Sequence, residues 1–224
     1  MISLRTLAAI GILIVLVAVS CDNRSTDNCG QLEIYGRIVF IPLITESSFT
    51  EFYVFHSGRP VINAEISVAT QYVPLVDQAN GGYRLEFDFG IGDTLAYSVN
   101  SEYGSSQGNV IIPDTVSIIR PLPLDTIPNS ADYSVVWHRN IGVDGYFVYL
   151  QNQNGYASAL TESDIDTTVV LDGHNIFNPG SDRLWVETLF GVFSSAVAPN
   201  GMNLPRGVVG AAGNYREVYV SFAP

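Results

Sequence analysis

Past residue 30 this chain offers no run of apolar residues at helical spacing over two or more turns. Its apolar residues come in short runs rich in Val, Ile, Tyr, Phe and Thr, cut by Gly, Asn, Asp or Pro. A helix must bury one stripe with a period near 3.6, whereas a half-buried strand alternates. Short β-branched and aromatic runs between turn formers are the pattern of antiparallel strands in a sandwich or barrel. The chain is therefore read as all-β.

The clearest run is Leu32-Glu33-Ile34-Tyr35-Gly36-Arg37-Ile38-Val39-Phe40, and further strands are expected at 52–55, 64–69, 83–89, 94–100 and 109–112. Pro113, Pro121, Pro123 and Pro128 then break the pattern. Proline brings no N–H to a ladder, so strands there should be short or at an edge. A domain boundary is placed between 113 and 127. A second set of strands is expected at 133–138, 145–151, 167–171, 184–190 and 217–222. Segment 191–214, rich in Gly, Ala, Pro and Asn without periodicity, reads as a long loop, and such loops are often functional or disordered.

The first 20 residues follow a different logic. Arg5 precedes an apolar stretch from Leu7 to Val19, which is short for a spanning helix of about 20 residues. A charged start, an apolar core and a small residue at the cut fit a removable signal. Ala18-Val19-Ser20-Cys21 resembles the lipobox of bacterial lipoproteins, with Ala18 where that pattern prefers Leu. The resemblance implies export, cleavage before Cys21, acylation of Cys21 and anchoring at a membrane of the bacterial cell envelope, leaflet unspecified. Several acyl chains on one residue suffice for stable attachment. Residues 22–30 then read as a flexible tether.

Charge narrows the partners. All ten basic residues are Arg, against 22 acids. Without residues 1–20 the chain keeps nine Arg and all 22 acids, a formal charge of −13. Nucleic acid is excluded as a partner, because phosphate binding needs clustered Lys and Arg to displace counterions. A polybasic contact with anionic lipid is excluded on the same ground. Once Cys21 is acylated, Cys29 is the remaining cysteine, so no disulfide can form within the mature chain.

No catalytic constellation and no metal or cofactor site emerges. His56, His138 and His174 form no i, i+2 or i, i+4 pair, as a zinc site often would. No Gly-x-Ser-x-Gly occurs, and Ser105-Ser106 and Ser194-Ser195 read as loop pairs without a nearby base. Glu162, Asp164 and Asp166 alternate like some calcium ligands, but the sixth and twelfth positions hold Thr167 and Gly173, not the Gly and Glu of an EF-hand. Aromatics offer more. If Tyr146 and Val148 face the core, Phe147 and Tyr149 face outward. With Tyr156, Tyr215 and Tyr219 they form a candidate contact surface, covered either by the chain itself or by a partner.

Two family resemblances complete the reading. Tyr133-Ser134-Val135-Val136-Trp137, Gly145-Tyr146-Phe147-Val148-Tyr149, Thr167-Thr168-Val169-Val170-Leu171, Pro179-Gly180 and Leu184-Trp185-Val186-Glu187-Thr188-Leu189-Phe190-Gly191 resemble a fibronectin type III domain. This resemblance implies that Trp137 fills the core, and Trp185 stands where that family usually has a tyrosine. Gly58-Arg59-Pro60-Val61-Ile62-Asn63-Ala64-Glu65-Ile66-Ser67-Val68, Gly82-Tyr83-Arg84-Leu85 and Gly92-Asp93-Thr94-Leu95 resemble the Ig-like or prealbumin-like regulatory domain found beside carboxypeptidases. The expected organisation is two tandem Ig-like β-sandwich domains, 31–113 and 114–224, after a signal peptide (1–20) and a tether (21–30). Both families are mainly scaffolds and binding modules, and fold alone does not fix function. The functional expectation is a non-catalytic interaction or structural module of the envelope. Its partner would be an envelope protein or a glycan, and a carbohydrate-binding surface lipoprotein is the alternative. A hydrolase would need converging groups that the sequence does not display.

The anchor makes a direct prediction. Cys21→Ser should leave the precursor uncleaved and unlabelled by an alkyne-palmitate analogue. Metabolic labelling together with the gel mobility of the processed form checks this.

Overall fold

A computed structural model of the chain describes residues 30–42, 48–128, 132–152, 155–172 and 180–221, and Gln31–Pro224 forms one compact unit. The segment 18–21 that resembles a lipobox, Cys29 and His174 lie outside the described residues. Among the described residues there are strands and no helix.

The strands of the first half are β1 (Leu32–Phe40), β2 (Phe49–His56), β3 (Arg59–Pro60), β4 (Glu65–Val68), β5 (Gln71–Tyr72), β6 (Leu75–Asp77), β7 (Gly82–Glu86), β8 (Thr94–Ser101) and β9 (Gly104–Ile111). The proline-rich stretch holds two three-residue strands, β10 (Ile118–Arg120) and β11 (Thr126–Pro128). The second half follows with β12 (Tyr133–Trp137), β13 (Gly145–Asn152), β14 (Gly155–Thr161), β15 (Thr168–Leu171), β16 (Gly180–Phe190), β17 (Phe193–Val197) and β18 (Asn203–Ser221). The main sheet runs β14-β13-β16-β18-β1-β2-β7-β6, with β11 and β17 also on β18 and β3 on β2. Two smaller sheets, β5-β4-β8-β9 and β10-β12-β15, complete the fold.

Local chemistry accounts for the hairpins. Ser57 and Gly58 both have positive φ (52° and 73°), the backbone of the tight two-residue turn that matches strand twist, and they join β2 to β3. Tyr83, at the start of β7, is buried, and its hydroxyl donates to the Val61 carbonyl at 2.9 Å and accepts from the Ala64 N–H at 2.9 Å.

Alternation along each strand sends side chains to opposite faces. One face of the main sheet carries both smaller sheets. Under β4-β8-β9 lies a core of Ile38, Phe52, Val54, Ile66, Val68, Val99 and Ile112. Beneath β10-β12-β15 lies a second core of Val135, Trp137, Tyr146, Val148, Leu184, Val186 and Val218. These are the two sandwich layers of an all-β fold. The main sheet also links them, because β18 pairs in parallel with β1 and in antiparallel with β16. The C-terminal strand thus places Val208 and Ala212 in the first core and Val218 and Val220 in the second. The stretch 113–127, where a boundary was expected, holds β10 of the second small sheet and the start of β11, and the main sheet joins strands from both sides of it.

Segment 191–214 corrects the expectation of a loop. It contains β17, a turn closed by Ala198 N–H to Met202 C=O at 2.7 Å, and most of β18. Its small residues serve close packing. A Cβ on Gly210 would overlap the Ile111 carbonyl, so glycine lets the end of β9 sit directly on β18. Ser105-Ser106 and Ser194-Ser195, read as loops, lie in β9 and β17.

Trp137 is 1% exposed and packs on Tyr146 at 5.0 Å between ring centroids. Trp137→Ala should cost about 3–5 kcal/mol, read as a lower urea midpoint with unchanged slope. Deleting 191–214 removes the centre of the main sheet, and the expected product has no cooperative unfolding transition.

Candidate functional site

The other face of the main sheet is covered differently along its length. Over β1, β2, β13 and β16 it forms a third core of Tyr35, Val39, Phe49, Phe55, Phe147, Tyr149, Leu189 and Leu204. Within this core lies a charge cluster. Arg37 on β1 donates from Nη1 to both carboxylate oxygens of Glu187 on β16, at 2.8 and 2.7 Å. It also donates from Nε and Nη2 to Glu51 Oε2 on β2, at 3.0 and 2.7 Å. The guanidinium lies over the rings of Phe49, Phe147 and Tyr149, 5.2–5.6 Å from each centroid. The Tyr149 hydroxyl donates to Glu187 at 3.1 Å, and the Tyr53 hydroxyl donates to Glu51 at 3.2 Å.

The two carboxylates respond oppositely. Burial would raise the Glu51 carboxyl, but Arg37, helped by Arg84 and the Tyr53 hydroxyl, outweighs it and holds the group below its ordinary value. For Glu187, burial outweighs Arg37 and the Tyr149 hydroxyl, and pushes the carboxyl up. Two acids share one guanidinium, and the more deeply buried one is the first to take a proton as pH falls. The cluster is enclosed, with Glu187 fully buried, so it offers no approach to a substrate.

This placement corrects part of the expected contact surface. Phe147 (0% exposed) and Tyr149 (8%) do leave the Trp137 core, but they are covered by the first half of the chain and by the β17–β18 hairpin. Tyr156 lies on β14 opposite Gln151, and its side chain is outside the described set. Tyr215 is half-buried and belongs to an aromatic row the sequence did not single out. In register, Tyr149 on β13 faces Trp185 on β16, which faces Tyr215 on β18. Trp185 stacks on Tyr149 (6.0 Å, 10°) and leans on Tyr215 (4.9 Å, 43°). Trp185 and Trp137 thus lie against opposite faces of the main sheet. Position-two alternation from Phe147 through Tyr149 could have predicted the row only if the strand order were known.

Beyond that row the face opens. The next register pair is Arg183–Glu217 and the next Ser181–Tyr219, all exposed. The Arg183 guanidinium sits over the Tyr215 ring at 4.9 Å, and among the described residues no ion pair joins Arg183 to Glu217. A cleft of about 730 Å³ adjoins these residues, lined also by Leu124, Thr126, Asp182 and Val218. Burial raises the Asp182 carboxyl, against the Arg183 N–H and charge that lower it.

The remaining candidates are dispersed. His56 is half-buried and stacks on Tyr103 at 4.1 Å, while His138 is exposed on the outer side of β12. Asp164 pairs with Arg139, and Glu162 accepts the Ser195 N–H. Among the described residues no three His, Cys, Asp or Glu side chains converge as metal ligands would.

No family model and no curated protein matches this chain. Among solved structures it is similar to fibronectin(III)-like modules of CbhA from Clostridium thermocellum. That likeness has 8% identity, covers 86% of this chain and 95% of that one, and has a TM-score of 0.29. It is also similar to domains 4 and 5 of the S-layer protein SbsC, at 12% identity, 86% and 98% coverage and a TM-score of 0.26. With superpositions this loose, the fold class rests on the chain's own sheets and cores.

Arg37→Met should cost about 3–5 kcal/mol at pH 7.5, because two buried carboxylates lose their partner. Without Arg37 the buried Glu187 would have a folded pKa still further above its unfolded one, and Glu51 would lose the main cause that lowers it. That penalty is full above the raised value and fades as pH falls toward the unfolded value. Urea titrations of the variant and the parent should therefore differ less at pH 4.5 than at pH 7.5.

Proposed function

We propose that this chain is a lipid-anchored, non-catalytic module of the bacterial cell envelope, and that it displays a binding face along the outer rows of β16 and β18. The anchor rests on the sequence around Cys21, where an apolar run ends at a thiol and a polar tether follows. The display reading is carried by one contrast within a single sheet face. Phe147 and Tyr149 are withdrawn from water, whereas Trp185 and Tyr215 are half-buried and Tyr219 is 47% exposed. Scattered exposed apolar residues are normal, but aromatics grouped beside a cleft mark a contact site. The buried charge cluster serves the fold, and the histidines and acids are dispersed, so the face is suited to holding a partner.

A photo-crosslinking residue at Tyr219 in intact cells should trap an envelope component. The same residue at Ile62, which is 51% exposed on the first half, should not. Equal yields at both positions would remove the face from the reading.

A further inference from the structure

Resting on the reading of β16 and β18 as the display face, we propose that the Trp185–Tyr219 surface and its cleft bind a neutral oligosaccharide. Register places Trp185 beside Tyr215, Arg183 beside Glu217 and Ser181 beside Tyr219. These residues alternate along their strands, so their side chains share one face. The result is an aromatic surface at one end, a second aromatic at the other, and a polar row between them. Tyr215 and Tyr219 are four residues apart, about 13 Å along the strand, which suits several linked sugars better than one. The cleft of about 730 Å³ lies within the range of small-ligand sites.

The chemistry selects the class. A pyranose has an apolar face of C–H groups that stacks on an aromatic ring, and a rim of hydroxyls that both donate and accept. The polar row supplies both kinds of partner. Arg183 offers only donors, ionised Glu217 offers only acceptors, and the Ser181 and Thr126 hydroxyls offer either. Arg183 and Glu217 face each other in register without an ion pair, so their hydrogen-bonding capacity is available to a ligand. A polyanion would meet Glu217 beside a single cation, Arg183, on a chain of formal charge −12. An apolar peptide would find Leu124 as the one aliphatic side chain of the lining, because Val218 turns into the Trp137 core. A neutral, hydroxyl-rich chain with flat apolar faces fits both the rings and the mixed polar row.

The test uses the full-length acylated chain in detergent micelles and reads tryptophan emission. Trp137 and Trp185 are its two tryptophans, and Trp137 lies in the opposite core. Cello-, xylo-, manno- and chitohexaose are titrated alongside polygalacturonate. The expected result is a saturable shift with at least one neutral hexasaccharide and none with the polyanion. Glu217→Ala and Arg183→Ala, both at exposed positions, should each weaken that affinity by about tenfold, as does loss of a central contact in other interfaces. Trp185→Phe should keep stacking and bind within a few-fold of the parent by calorimetry. Glu217→Ala and Arg183→Ala proteins that keep the parent's circular dichroism and bind like the parent would overturn the proposal. So would the absence of a response to every neutral sugar. If crosslinking at Tyr219 persists while no sugar binds, the face meets a protein: the oligosaccharide inference falls and the display reading stands. If both fail, both fall.

Discussion

Arg37 reaches across a strand to hold the two halves of this protein together. Its own strand, β1, and the strand of Glu187, β16, are not neighbours, because β18 lies between them. On that face β18 presents Val209, Ala211 and Gly213 at the crossing. The nearest atoms to a Cβ built on Gly213 are Glu187 Cγ and Ile41 Cγ1, both at 3.6 Å, so little room is left for anything larger. Small residues in the middle strand thus let a long cation meet an acid two strands away. A buried ion pair contributes little net stability over an apolar replacement, because desolvation offsets the attraction. Its stronger effect is on specificity. A one-residue slip of β1 or β16 against β18 would turn Arg37 or Glu187 to the opposite face and strand its partner.

The same strand decides which surfaces are used up. β18 supplies side chains to all three cores, and Gly210 lets β9 dock against it. Near the charge cluster the back face is sealed by the β17–β18 hairpin, with Ala198 and Leu204 over Phe147 and Tyr149. Farther along β18 the hairpin no longer covers it, and Trp185, Arg183, Tyr215, Glu217 and Tyr219 reach the surface. The position of the proposed binding face is therefore a consequence of where the cover ends.

That arrangement also explains why the molecule is read as a display element. Two of its acids with shifted carboxyls, Glu51 and Glu187, are hydrogen-bonded to Arg37, and Glu187 is fully buried. Perturbed pKa values often mark catalysis, but structural ion networks perturb them too, and access separates the two cases. Here the accessible surface carries aromatic rings and the register pair Arg183–Glu217, between which the described residues show no ion pair, and the proposed binding face rests on that composition.

Much of the local structure was written in the chain. The run 32–40 has the same bounds as β1, and the core positions of Val135, Trp137, Tyr146 and Val148 follow from period two. Prolines at 121, 123 and 128 kept the strands around them to three residues. Segment 191–214 was opaque because its glycines and alanines answer to neighbours far away in sequence, Ile111 and Glu187 among them. Phe147 and Tyr149 were legible as leaving one core, yet the third core that receives them is built from β1, β2 and the β17–β18 hairpin. Sequence by itself determined the strands, their two faces and the candidate anchor, since these depend on neighbours one to a few residues apart. Tertiary structure alone decided the strand order, the Arg37 cluster and the exposed Trp185–Tyr219 row, because each requires contacts between segments a hundred or more residues apart or the end of a cover that no local pattern encodes.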